Sequence, residues 1–108
     1  MIRVKVKKTG DSITCVEVSG HANYARSGKD IVCSAVSGIT YTALLGLIEF
    51  STRKVEYVVN DENGYMKFIV PVAESEEEEI RQQTILRTMI IGLQDLEKGY
   101  KAYVNVEV

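Results

Sequence analysis

Two residue types that can act together on a carbonyl group stand near the start of this 108-residue chain. They are His21, the sole histidine, and Cys33, one of two cysteines. The attacking form of cysteine is the thiolate. An imidazole beside it can take the thiol proton and later hand a proton to a departing amine. Asp30 stands directly before an uncharged, apolar run that opens at Ile31, the place of a helix N-cap. Cys33 then falls in the first helical turn, where the macrodipole favours negative charge. The amides of Cys33 and Ser34 have no partner within such a helix and could donate to an oxyanion. Asp30 itself has two readings, an orienting partner for His21 or only a cap. A free carboxylate beside Cys33 would raise the thiol pKa, and the position favours the cap. The bland reading is that both cysteines pack as small hydrophobes and the histidine is structural. Cys15, inside a strand-like stretch, is read that way.

The elements that would hold these residues follow from periodicity. Ile2, Val4 and Val6 alternate with basic residues, as in a half-buried strand. Gly10-Asp11 turns the chain into a second strand, Ser12 to Ser19. There, strict alternation puts Thr14, Val16 and Val18 on one face. Ile13, Cys15, Glu17, Ser19 and His21 fall on the other. A loop over Ala22 to Lys29 leads to a helix from about Ile31 to Phe50. Its small residues Ser34, Gly38, Thr42 and Gly46 recur every four positions and form a smooth stripe for a second helix or a second subunit. Two further strands flank the Asn63-Gly64 hairpin turn, and Pro71 ends the second of them. Ser75 and Glu78 form a capping-box pattern before a helix whose apolar face is Leu86, Met89, Ile90, Leu93 and Leu96. Gly99 is the expected C-cap, and a last strand follows. The order β-β-α-β-β-α-β predicts a single α+β domain spanning 1–108, with a mixed or mainly antiparallel sheet carrying two helices.

Composition limits the function classes. The chain is 45% hydrophobic and 26% charged with a formal charge of −2, so no basic field favours nucleic acid. The start MIRVKVKK alternates and reads as a strand, not a secretion signal, so a cytoplasmic location with reduced thiols is expected. The uncharged stretch Ile31 to Ile48 is interrupted by serine, threonine and glycine and reads as a helix buried by the protein itself rather than a membrane span. The histidine, one nearby cysteine and one aspartate fall short of a structural zinc set. No metal or other cofactor is expected.

The stretch Gly20-His21-Ala22, followed by Gly28-Lys29-Asp30-Ile31-Val32-Cys33-Ser34-Ala35-Val36-Ser37, resembles the signature of the ribosomal-processing cysteine proteases. That signature reads G-H-A … G-x-D-I-V-C-[AS]-A-V-S. Length and element order are similar to the family's across the chain. The resemblance implies an endopeptidase that removes a short N-terminal extension from the twenty-seventh protein of the large ribosomal subunit. Cys33 would be the nucleophile and His21 the base. Asp30 and Ser37 match motif positions. It also implies a homodimer and a mobile loop, here Ala22 to Lys29, whose Tyr24, Arg26 and Gly28 meet the substrate. The family's substrate has aromatic residues before the cut and lysines after it. The rival reading is a non-enzymatic ribosome-associated accessory protein, which would keep its function without the Cys33 thiol.

Overall fold

The computed structural model describes residues 1–26 and 30–108. Five strands, β1 (Ile2–Thr9), β2 (Ser12–Ser19), β3 (Glu56–Asn60), β4 (Tyr65–Ile69) and β5 (Val104–Glu107), form one sheet in the order β3-β4-β2-β1-β5. Every neighbouring pair is antiparallel except β1 with β5. The helices are α1 (Ile31–Phe50) and α2 (Glu76–Gly99). The predicted element order and mixed sheet are those observed. Asn60, Tyr65, Ser19, Arg3 and Asn105 are successive partners in a row across the sheet. The ends of β3 and β2 and the starts of β4, β1 and β5 therefore meet at one edge.

The core forms where one face of the sheet meets both helices. Val4, Val16 and Phe68 from the strands are buried with Val32, Val36, Leu44 and Leu47 of α1 and Leu86, Met89 and Leu93 of α2. Strict alternation misplaces Ile13. Lys7 pairs with Cys15 but Lys8 with Ile13, so Thr14 is the extra residue of a β-bulge. The bulge reverses the parity of the strand. Ile13 thus joins Val16 and Val18 in the core, while Cys15 is half-buried on the opposite face.

The helices meet through reciprocal pairs. A methyl added to Gly46 would lie 3.6 Å from Ile85, and one added to Gly92 would lie 3.8 Å from Ile39. The small-residue stripe therefore reaches α2 at Gly46, and Ser34, Gly38 and Thr42 stay exposed. The expectation that the protein buries α1 holds for one face only. Tyr41, Leu45 and Ile48 are exposed. The helix is long and apolar enough to cross a membrane by length and composition, with a mean hydropathy of 1.9, yet six of its residues are buried in the domain.

At α2 the capping box is half made. Ser75 Oγ accepts from Glu78 N at 3.1 Å, but the Glu78 side chain turns to α1 instead. Its carboxylate accepts from Thr52 Oγ1 at 2.6 Å and Thr52 N at 3.2 Å. Gln82 Nε2 donates to Glu78, to Ser51 Oγ and to Pro71 O, fastening the end of α1 to the start of α2. Gly99 is not the C-cap. The helix includes it and closes when Tyr100 N donates to Leu96 O and Glu97 O.

The Thr52 hydroxyl, and then the Thr52 N–H, hold the Glu78 carboxyl below the usual carboxylate range. With its folded pKa below the unfolded value, Glu78 contributes stability above the ordinary glutamate pKa. That contribution is lost as pH falls through the folded value. Glu78→Ala should lower Tm near neutral pH and flatten the fall of Tm with acid, as followed by circular dichroism. An unchanged acid profile would contradict this role.

Candidate active site

Asp30 organises the start of α1. Its Oδ1 accepts from Val32 N and Cys33 N, both at 3.0 Å. Its Oδ2 reaches back to Tyr24 N at 3.0 Å and Ala25 N at 3.4 Å. One buried carboxylate thus caps the helix and ties the preceding loop to it. Burial alone would raise its pKa, but the N–H donors of Cys33, Ala25 and Tyr24 outweigh burial and hold it below the usual range. Of the two sequence readings the cap is observed. Among the described residues the donors on the Asp30 carboxylate within hydrogen-bond distance are backbone amides, and none belongs to His21.

The cap also alters the expected oxyanion site. Cys33 N is taken by Asp30 Oδ1, and Ser34 N donates to Asp30 O at 3.1 Å. Neither first-turn amide is a free donor, because the cap and the first helical bond supply the partners that a bare helix end lacks. A different amide meets the sulfur. Ala22 N lies 3.3 Å from Cys33 Sγ, placed to stabilise a thiolate and close to any anion that forms on a carbon bonded to that sulfur.

Cys33 is half-buried. Burial pushes its thiol up, the Ala22 N–H opposes this, and the negative charge of Asp30 adds to the rise. The net direction is upward, so this setting disfavours the thiolate relative to a free cysteine, and forming it calls for a base. His21 is exposed just beyond β2. Its ring packs on Gly64, at φ 60°, in the turn between β3 and β4. A Cβ there would sit 2.8 Å from Cε1 and 2.9 Å from Nε2. Both the backbone angle and the space require glycine. Gly20 N donates to Gly64 O at 2.9 Å, fixing the turn to the end of β2.

His21 and Cys33 line one open cavity of about 630 Å³, with Asp30, Ser34, Ser37, Asp61 and Glu62 among its walls. Among the described residues no hydrogen bond joins the imidazole to the sulfur. Catalytic hydrogen bonds of this kind commonly tighten only when substrate is bound. A thiol, an imidazole and an N–H on the sulfur, facing a space large enough for several peptide atoms, suit attack on a carbonyl.

The other residues singled out by sequence are dispersed. Tyr24 packs edge-on against Tyr100 and Tyr103, with centroids 5.6 and 5.1 Å away. Arg26 is exposed and does not line the cavity. Gly28 lies outside the described residues. Sequence reasoning missed the Ala22 N–H and the role of the β3–β4 turn as a wall. The Asn-Gly hairpin itself was legible, but its nearness to His21 depends on β4 pairing with β2, which local pattern does not encode.

Residues 1–105 match the sequence profile of the family described as "Cysteine protease Prp". The chain is 28% identical over 107 residues to the ribosomal processing cysteine protease Prp of Bacillus subtilis, covering 98% of this chain and 96% of that protein. It is 32% identical over 89 residues to the protein of that name from Mycoplasma pneumoniae, covering 82% and 81% of the two chains. Among solved structures, the ribosomal processing protease Prp of S. aureus with a covalently linked product peptide is similar at a TM-score of 0.87 and 24% identity. That match covers 99% of this chain and 98% of the other. At that identity the structural likeness speaks to the fold.

Replacing Asp30 by Asn keeps one acceptor for the helix amides and removes the negative charge near the sulfur. In Asp30→Asn the thiol pKa should fall, and iodoacetamide should modify Cys33 faster near neutral pH, as read by peptide mass spectrometry. Equal or slower modification would show that the carboxylate does not hold the thiol up.

Proposed function

The chain belongs to the cysteine protease Prp family, and from that premise we propose that Cys33 is its nucleophile and His21 its general base and acid. His21 takes the thiol proton as Sγ bonds to the scissile carbonyl carbon. The Ala22 N–H is the donor beside the charge that develops. The imidazolium then gives its proton to the leaving amine as the C–N bond breaks, leaving a thioester on Cys33. Water, deprotonated by His21, attacks the thioester and restores the thiol. The observation that carries this reading is the convergence of the chain's sole histidine and the helix-start cysteine on one cavity.

The substrate in this reading is the N-terminal extension of the twenty-seventh protein of the large ribosomal subunit. Supporting it, the curated relatives are named for ribosomal processing. S. aureus Prp structures also carry a substrate peptide and a covalently linked product peptide. The cytoplasm is the matching compartment, and both cysteines are free. A homodimer is supported by α1. Tyr41, Leu45 and Ile48 lie exposed beside the small residues Ser34, Gly38 and Thr42, and no charge interrupts α1 before Glu49. An uncharged face of that extent is unusual on a surface left to water, and a second copy fits it by self-complementarity.

Peptides spanning the ribosomal-protein extension should be cut at one bond by the protein. Cys33→Ala should lose at least about a thousandfold in rate, the scale of losing a catalytic nucleophile, with the circular dichroism spectrum intact. Full activity in Cys33→Ala would favour the accessory-protein reading. Sedimentation should give a dimer for the native chain and a monomer for Leu45→Glu. A native monomer at micromolar concentration would refute the interface.

A further inference from the structure

The N–H that meets the sulfur belongs to Ala22, a residue between β2 and α1. A backbone donor in a loop is aimed only as well as the loop is held. Ala22 itself is buried. Asn23, which follows it, is the one non-glycine residue with a positive φ among the described residues, at 58°. Asparagine adopts that left-handed angle more readily than most side chains. Asn23 and Ala25 then line the cavity, while Tyr24 between them does not. The Tyr24 ring instead lies edge-on to Tyr100 and Tyr103, with interplanar angles of 87° and 81°. Aromatic quadrupoles favour that arrangement.

The platform under that ring is fixed. Tyr100 and Tyr103 pack against the core. Tyr103 N and Val104 N donate to Tyr100 O at 2.8 and 3.1 Å, and Ile2 N donates to Tyr103 O at 2.8 Å. The turn between α2 and β5 is thereby bonded within itself and to the start of β1. Asp30 ties the loop to α1, and the tyrosines tie it to the junction of α2 and β5. We propose that Tyr24, Tyr100 and Tyr103 are positioning residues for the reaction, their ring contact holding the loop so that the Ala22 N–H stays aimed at Cys33 Sγ and at the oxyanion that forms beside it. The assignment rests on the mechanism proposed above. None of the three tyrosines lines the cavity, so they act through Ala22 rather than by touching substrate.

The test measures cleavage of a peptide spanning the ribosomal-protein extension and, separately, the pH profile of Cys33 alkylation by iodoacetamide. Both are run on Tyr24→Ala, Tyr24→Phe, Tyr103→Ala and the double alanine variant, with folding checked by circular dichroism. Tyr24 is 44% exposed, so truncating it leaves the core in place. Tyr24→Ala should lower kcat by about tenfold at nearly unchanged KM, part of the roughly hundredfold loss on deleting an oxyanion donor. Its alkylation profile should move to higher pH, because the Ala22 N–H lowers the thiol pKa and is no longer held on the sulfur. Tyr24→Phe keeps the ring contact and should match wild type in both readouts. The double variant should be no slower than the slower single variant, since both act through one contact. Should Tyr103→Ala fail to fold, the two Tyr24 variants decide alone. A raised KM at unchanged kcat in Tyr24→Ala, an unmoved alkylation profile, or an equal defect in Tyr24→Phe would overturn the assignment. If wild type cuts no peptide, the protease reading fails, and the alkylation profiles still decide whether the tyrosines hold the amide on the sulfur.

Discussion

The site depends on one carboxylate with four backbone partners. Asp30 satisfies two amides at the tip of α1 and two in the loop before it. Without an acceptor there, the helix end would keep unpaired donors in a buried setting. The loop would also lose its fastening to the nucleophile's helix. The clamp folds the loop back so that the Ala22 N–H faces the Cys33 sulfur at 3.3 Å. The arrangement has a cost. The same negative charge raises the thiol pKa in concert with burial. Both effects disfavour the thiolate, which in the proposed mechanism gives the imidazole the task of taking the thiol proton.

Around that clamp the fold brings distant stretches of chain to one edge. The end of β2, the turn between β3 and β4 and the start of α1 all contribute to the cavity wall. The contact between Gly64 and the His21 ring depends on two choices: glycine at a left-handed position, and β4 beside β2. The Glu78–Thr52–Gln82 network lies apart from that cavity and holds the two helices to each other.

Much of this was legible in the sequence. The strand alternation of Ile2 and Val4, the Asp30 cap, the bounds of α1 and the element order were readable because each is a local pattern with a short-range cause. The local motif also singled out His21 and Cys33, and the structure brings both to one cavity. What failed was non-local or depended on one residue's slip. The bulge at Thr14 moved Ile13 into the core. The α2 end ran through Gly99 because Tyr100 found carbonyl partners without a glycine cap. The amides expected to face an oxyanion were consumed by the very cap that sequence had correctly placed. Equally unannounced by any pattern within its own loop is the packing of Tyr24 on Tyr100 and Tyr103, ahead of β5.

The most direct test of the central claim is to treat the native protein with a peptidyl vinyl sulfone and map the adduct by mass spectrometry, alongside His21→Ala. A Cys33 thiol activated by the imidazole that shares its cavity predicts a single adduct on Cys33, none on Cys15, and much slower labelling without the histidine. An adduct on Cys15, or labelling of Cys33 at the native rate in His21→Ala, would contradict the account.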